Sequence, residues 1–265
     1  MKNNKTMILS MASALLISLS ACSNMETIDN TPNPNVVEEN LSGNLATLYT
    51  TTATGSATLK KTYSQVASTV NMAPTTIQVD PTKTYQSMDG FGFAITYSTC
   101  YNLMKMDAAS REKFLKQTYS TSEGYGVSYA RISIGCNDFS STEYSLCDTK
   151  GLENFALHKD ETSYVIPVLK EILAINPNLK IIASPWTSPK WMKVSDIKTK
   201  APFDSWTDGH LNPDYRQDYA QYFVKFVNIM KDNGISIYAV SPQNEPLNRA
   251  NCASLYMPWD EEAAF

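Results

Sequence analysis

The chain has 265 residues, 43% of them hydrophobic and 18% charged, which excludes wholesale disorder; 10 Gly and 13 Pro exclude collagen-like repetition. Twenty-two basic against 26 acidic residues give a net charge of −4, and no block of Lys or Arg could neutralise a phosphate backbone, so nucleic acid is not an expected partner. Fifteen Tyr, 4 Trp and 9 Phe supply flat apolar faces for a core or for stacking on sugar rings.

Residues 1–21 have a basic start (Lys2, Lys5), an apolar stretch from Met7 to Leu19 and a small-residue exit, the pattern of a secretory signal peptide. The run Leu19-Ser20-Ala21-Cys22 looks like a bacterial lipobox, which would make Cys22 a lipidated mature N-terminus and the chain an exported outer-membrane lipoprotein; an ordinary cleaved signal is the alternative. Residues 22–48, rich in Asn, Thr and Pro, read as a flexible tether from that membrane anchor. Cys100, Cys136, Cys147 and Cys252 lack the spacing of a zinc site, so buried thiols are expected for most of them and no metal or organic cofactor is called for.

Residues 49–85 are rich in Thr and Val and broken by Gly55, Pro74 and Pro81, as befits strands of a small β-sandwich side domain. From residue 86 to 265 strand and helix alternate. Strands are predicted at Met88–Thr96, Val127–Ile134, Leu179–Ser184 and Ile237–Val240, and helices near Asp107–Tyr119 and Val165–Ile175. The third helix opens at Asn212-Pro213-Asp214, carries the stripe Tyr219, Tyr222, Phe223, Phe226, Val227 and Met230, and closes at Asn233-Gly234. The fold class is therefore α/β with a parallel sheet. Its strands recur about every 50 residues, so eight βα units would need about 400. The reading is either an open four-stranded sheet or the N-terminal half of a (β/α)8 TIM barrel.

Parallel α/β folds place reactive groups at the C-terminal ends of strands. Glu245 lies there after the fourth strand, where partial burial would let its carboxyl group protonate a leaving oxygen, and Asn244 beside it could bond a sugar hydroxyl. A plain Asn/Pro turn is the competing reading. Arg131 shares a strand face with Ser133, opposite Ile132 and Ile134, so it points away from the helices and should need a carboxylate partner. Asp138, just past that strand, suits sugar hydroxyls or a turn cap. In the Pro-bounded loop Ser184–Lys193, Trp186 is expected as a sugar-stacking platform and Trp191 as packing.

Together these segments resemble glycoside hydrolase family 30, the glucosylceramidase-like and β-1,6-glucanase-like enzymes. The likeness runs through Met-Asp-Gly-Phe-Gly (88–92), Arg-Ile-Ser-Ile-Gly-Cys-Asn-Asp-Phe-Ser (131–140), Ser-Pro-Trp-Thr-Ser-Pro-Lys-Trp-Met-Lys (184–193), Tyr-Ala-Gln-Tyr-Phe-Val-Lys-Phe (219–226) and Gln-Asn-Glu-Pro (243–246). It implies a (β/α)8 barrel with an attached β sandwich and a retaining mechanism using two glutamates. Glu245 would be the general acid/base, with Asn244, Arg131, Asp138 and Trp186 in the active site and a β-linked glucan or glucoside as substrate. The family's nucleophile, a glutamate at the seventh strand, has no counterpart here, so the resemblance implies a C-terminally incomplete and inactive chain whose missing glutamate would also partner Arg131. Phe93 and Tyr97 stand where many relatives have Gly and Asp, and the flavour is closest to endo-β-1,6-glucanases. A non-catalytic carbohydrate-binding surface lipoprotein or inactive paralogue is the alternative.

Overall fold

The computed structural model describes residues 45–58, 60–65 and 80–265. The expected leader, the expected lipidation site Cys22 and most of the expected tether lie outside them. The chain divides into two units, the second running from Tyr85 to Phe265.

In the first unit β1 (Leu45–Thr50) pairs antiparallel with β2 (Lys60–Gln65), in register from Leu45↔Gln65 to Thr50↔Lys60. The turn closes on Thr52, whose Oγ1 accepts from Ala57 N at 3.0 Å. This corrects the expected boundary: β1 begins inside the segment assigned to the tether. The polar average over 22–48 concealed a last stretch, Leu45-Ala46-Thr47-Leu48, with the composition of a strand.

The second unit is built on β3 (Gly92–Ala94), α1 (Tyr97–Lys105), α2 (Ala108–Tyr119), β4 (Tyr129–Ile134), α3 (Ile166–Ile175), β5 (Lys180–Pro185), β6 (Lys193–Val194), β7 (His210–Leu211), α4 (Arg216–Asp232), β8 (Ile237–Val240) and α5 (Trp259–Ala264). The main sheet runs β3-β4-β5-β8, each neighbour pair parallel, so sheet order follows chain order as it does in a barrel wall. Two-residue strands β6 and β7 pair antiparallel within the β5–β8 connection.

Alternation on β4 sorts the two faces of the sheet. Ile132 and Ile134 are buried, whereas Arg131 and Ser133 lie on the opposite, half-open face. The helix-side core is aromatic, with Tyr219, Tyr222 and Phe226 of α4 fully enclosed. Burial of rings this size contributes roughly 4–6 kcal/mol each as an upper figure. Tyr222 keeps its hydroxyl in that setting by accepting from Leu146 N at 3.0 Å.

Three elements differ from the sequence expectation. The strand predicted over 88–96 narrows to β3, because Thr96 instead caps a helix, its Oγ1 accepting from Thr99 N at 3.3 Å. That helix, α1, carries Thr and aromatic residues of indifferent propensity and was not among the predicted elements. Asn212 does cap, but it caps a short 3-10 turn over Pro213–Tyr215, and the α-helix proper starts at Arg216.

Candidate active site

Backbone bonding to β5 continues past the end of β8. Ser241 N donates to Ala183 O at 2.9 Å and Asn244 N to Pro185 O at 2.8 Å, while Gln243 Nε2 reaches Trp186 O at 2.7 Å. These bonds hold Asn244 and Glu245 at the C-terminal rim of the sheet. Glu245 itself adopts a left-handed backbone, φ 45°, a conformation that costs a side-chain-bearing residue on the order of 1 kcal/mol or more. The turn that follows offsets this cost. Asn248 N donates to Glu245 O at 2.8 Å, and the side-chain amides of Asn248 and Asn251 donate to Glu245 Oε2 at 2.8 and 2.9 Å. The Glu245 side chain is exposed, so the partial burial that the acid reading asked for is not met by the described residues.

Arg131 reaches the same rim from β4. Its Nη2 donates to Asn244 Oδ1 at 2.8 Å, and its guanidinium lies over the Trp186 ring, 4.8 Å from the centroid. Among the described residues no carboxylate pairs with Arg131. Within the described residues the guanidinium is held by an amide oxygen and an indole face, which suits a half-buried side chain. Trp186 is only 8% exposed with Arg131 over its ring, so it is a buried ring under the site rather than an open platform. Trp191 packs as expected: its Nε1 donates to Cys147 O at 2.8 Å and its ring meets Tyr215 edge-on.

Asp138 is exposed in the turn after β4, with no hydrogen bond to the Arg131–Asn244 group among the described residues. Asn137 next to it shapes the turn, its Oδ1 accepting from Phe139 N at 2.7 Å and its Nδ2 donating to Ser133 Oγ at 3.1 Å. Farther along the loop Ser141 Oγ donates to Asp160 at 2.9 Å, and Tyr144 OH donates to Glu161 Oε1 at 2.6 Å. The loop bearing Asp138 is thereby tied to the turn that leads into α3. Burial pushes the Glu161 carboxyl group up to about 7.

The structure thus brings Arg131, Asn244, Glu245 and Trp186 to one rim and leaves Asp138 beside it. Asn248 and Asn251 went unnoticed in the sequence, since loop amides have no periodicity and their distance in sequence from a carboxylate carries no geometric meaning. All four described cysteines are free thiols; Cys100, Cys136 and Cys147 are buried and Cys252 is exposed.

Residues 88–254 match the family description "Glycosyl hydrolase family 30 TIM-barrel domain". A solved structure, "The endo-beta1,6-glucanase BT3312", is 58% identical with a TM-score of 0.74, over 83% of this chain and 47% of that one. Putative glucosylceramidase 4 of Caenorhabditis elegans is 34% identical over 205 residues, covering 76% of this chain and 38% of the relative. The endo-1,6-beta-D-glucanase of Neurospora crassa is 33% identical over 193 residues, covering 70% and 39% respectively. The chain therefore spans about half the length of the solved relative and less of the two curated ones.

Proposed function

The chain belongs to glycosyl hydrolase family 30, and from that premise we propose that it acts as a retaining β-glycosidase on β-1,6-glucan, with Glu245 as the acid/base. In this reading the Glu245 carboxyl group gives its proton to the glycosidic oxygen as the C1–O bond breaks, and a second carboxylate attacks C1 from the opposite face. The Glu245 carboxylate then takes a proton from the water that releases the sugar from the covalent intermediate. The carrying observation is the juxtaposition of Arg131, Asn244 and Glu245 at the C-terminal rim of a parallel sheet, where hydroxyl binding and proton transfer belong together. The likeness to the solved endo-β-1,6-glucanase supports the linkage.

The second carboxylate must stand about 5–5.5 Å from the first for retention. Export with lipid attachment at Cys22 is part of the same reading, supported by the Leu19–Cys22 run; mass measurement of the mature N-terminus tests it. The enzymatic test is Glu245→Gln in the native gene product. The kcat/KM for β-1,6-glucan should fall by orders of magnitude while the kcat/KM for an activated aryl β-glucoside, whose leaving group needs no proton, is largely spared. Equal loss on both substrates contradicts the acid/base assignment, and binding of glucan without turnover by the unaltered native gene product would favour a carbohydrate-binding protein instead.

A further inference from the structure

Lys193 ends the 184–193 run and is 2% exposed, yet nothing above gives it a role. Its Nζ donates to Ser254 O at 2.8 Å and Ser205 O at 2.9 Å, with Thr187 Oγ1 at 3.2 Å and Trp206 O at 3.4 Å. This shell consists of acceptors, which suits the three protons of an ammonium and leaves a neutral amine with a lone pair facing oxygen. No ion pair within 4 Å involves Lys193 among the described residues. Burial pushes the ammonium down to about 7, and the charge of Asp208 opposes that shift. Enclosing a cation without a carboxylate costs several kcal/mol. Such a group persists where several segments depend on it.

Three segments meet at this nitrogen: the loop after β5 (Thr187), the approach to β7 (Ser205, Trp206) and the loop after β8 (Ser254). Ser254 is fixed further, its N donating to Trp206 O at 2.9 Å and its Oγ accepting from Asp208 N at 2.8 Å. Asp208 in turn receives Arg249 Nε at 2.8 Å and Nη2 at 3.1 Å. Tyr256 N bonds to Gly209 O and Met257 N to Pro246 O, each at 2.8 Å. Residues 246–257 therefore form a strap closed at its two ends and pinned near Ser254. Within that strap lie Asn248 and Asn251, the two residues whose amides hold Glu245 Oε2.

We propose that Lys193 is a positioning residue for proton transfer by Glu245: it locks the strap 246–257 to the loop after β5 and so fixes the two asparagine amides that aim the carboxyl group. This rests on the acid/base reading of Glu245. Lys193 touches no reacting atom in this scheme. Its effect on the bond-breaking step should be confined to substrates whose leaving group must be protonated.

The test compares Lys193→Met with the wild type and with Glu245→Gln, in the native gene product, on β-1,6-glucan and on a dinitrophenyl β-glucoside. Lys193→Met should lower kcat/KM on glucan about tenfold or more, while kcat/KM on the aryl glucoside, which reports bond cleavage needing no proton, stays within about threefold. A purely structural role predicts equal loss on both substrates, and that result, or no loss on either, overturns the proposal. Should Lys193→Met fail to fold, the double variant Asn248→Ala/Asn251→Ala, in a partly exposed loop, must show the same selective loss; an unchanged ratio of the two kcat/KM values overturns the proposal. If Glu245→Gln itself shows no dependence on the leaving group, the acid/base reading falls and the proposal with it. Selective loss in Glu245→Gln without selective loss in the other variants sinks the positioning role alone.

Discussion

Arg131 Nη2 lies 2.8 Å from Asn244 Oδ1, a bond that spans 113 residues of sequence and joins β4 to the loop after β8. It is the contact through which a strand residue of the sheet's inner face meets the residue beside Glu245. Hydrogen bonds involving a charged group contribute about 1.5–3 kcal/mol when well made, and this one holds the orientation of both partners.

Replacing Asn244 with Ala removes the acceptor and should lower stability by about 1–2 kcal/mol, since the half-open guanidinium recovers water. Asn244→Asp places a carboxylate at the same position and should raise the melting temperature above the wild type. Calorimetric scans of the two variants check both signs. A lower melting temperature for the Asp variant would show that the contact is not what fixes Arg131.

Glu161 sets a pH dependence. Its carboxyl group titrates near 7 in the fold because burial disfavours the charged form, against about 4.3 in an unfolded chain. Between those values the folded chain binds more protons than the unfolded one, so stability present below about pH 4.3 is lost as pH rises through 7. Urea midpoints from pH 4.5 to 8 should decline less steeply for Glu161→Gln than for the wild type. Superimposable pH profiles would mean that Glu161 ionises as freely in the fold as out of it.

Among the described cysteines Cys252 is exposed, and its thiol sits 3.1 Å from Glu143 Oε1, which holds its proton on and raises it above the usual thiol range. Alkylation of the native protein followed by peptide mapping should modify Cys252 and spare Cys100, Cys136 and Cys147, whose burial also raises them. Glu143→Gln should speed the reaction at Cys252. An unchanged rate would deny the carboxylate its influence.

Gly92 stands opposite Tyr129 where β3 pairs with β4. A Cβ there would meet Tyr129 O at 2.0 Å and Tyr129 C at 2.4 Å, both backbone atoms that cannot step aside without parting the strands. Gly92→Ala should cost more than about 2 kcal/mol in chemical denaturation. Wild-type stability in that variant would mean that the β3–β4 pairing gives way more easily than these distances allow.

Much of the architecture was legible in the residues. Ile132 and Ile134 alternating with Arg131 and Ser133 announced which face of β4 would meet the helices, and the structure buries the isoleucines. The α4 stripe from Tyr219 to Met230 was equally plain, because a 3.6-residue period leaves the same trace wherever one helix face is covered. Less legible were α1, whose residues have no strong preference, and β1, whose strand character was diluted by the polar segment before it.

The candidate site divides in the same way. Glu245 and Asn244 could be marked from sequence because the C-terminal end of a parallel strand is a position defined by local pattern. The partner of Arg131, the burial of Trp186, the amides of Asn248 and Asn251 around Glu245 and the enclosure of Lys193 could not be marked, since each depends on loops from different strands meeting. Sequence by itself determined class, strand faces and the rim carboxylate, through periodicities that are local. Only the tertiary structure decided which groups touch, because a hydrogen bond formed at 2.8 Å between residues 113 apart leaves no periodic trace along the chain.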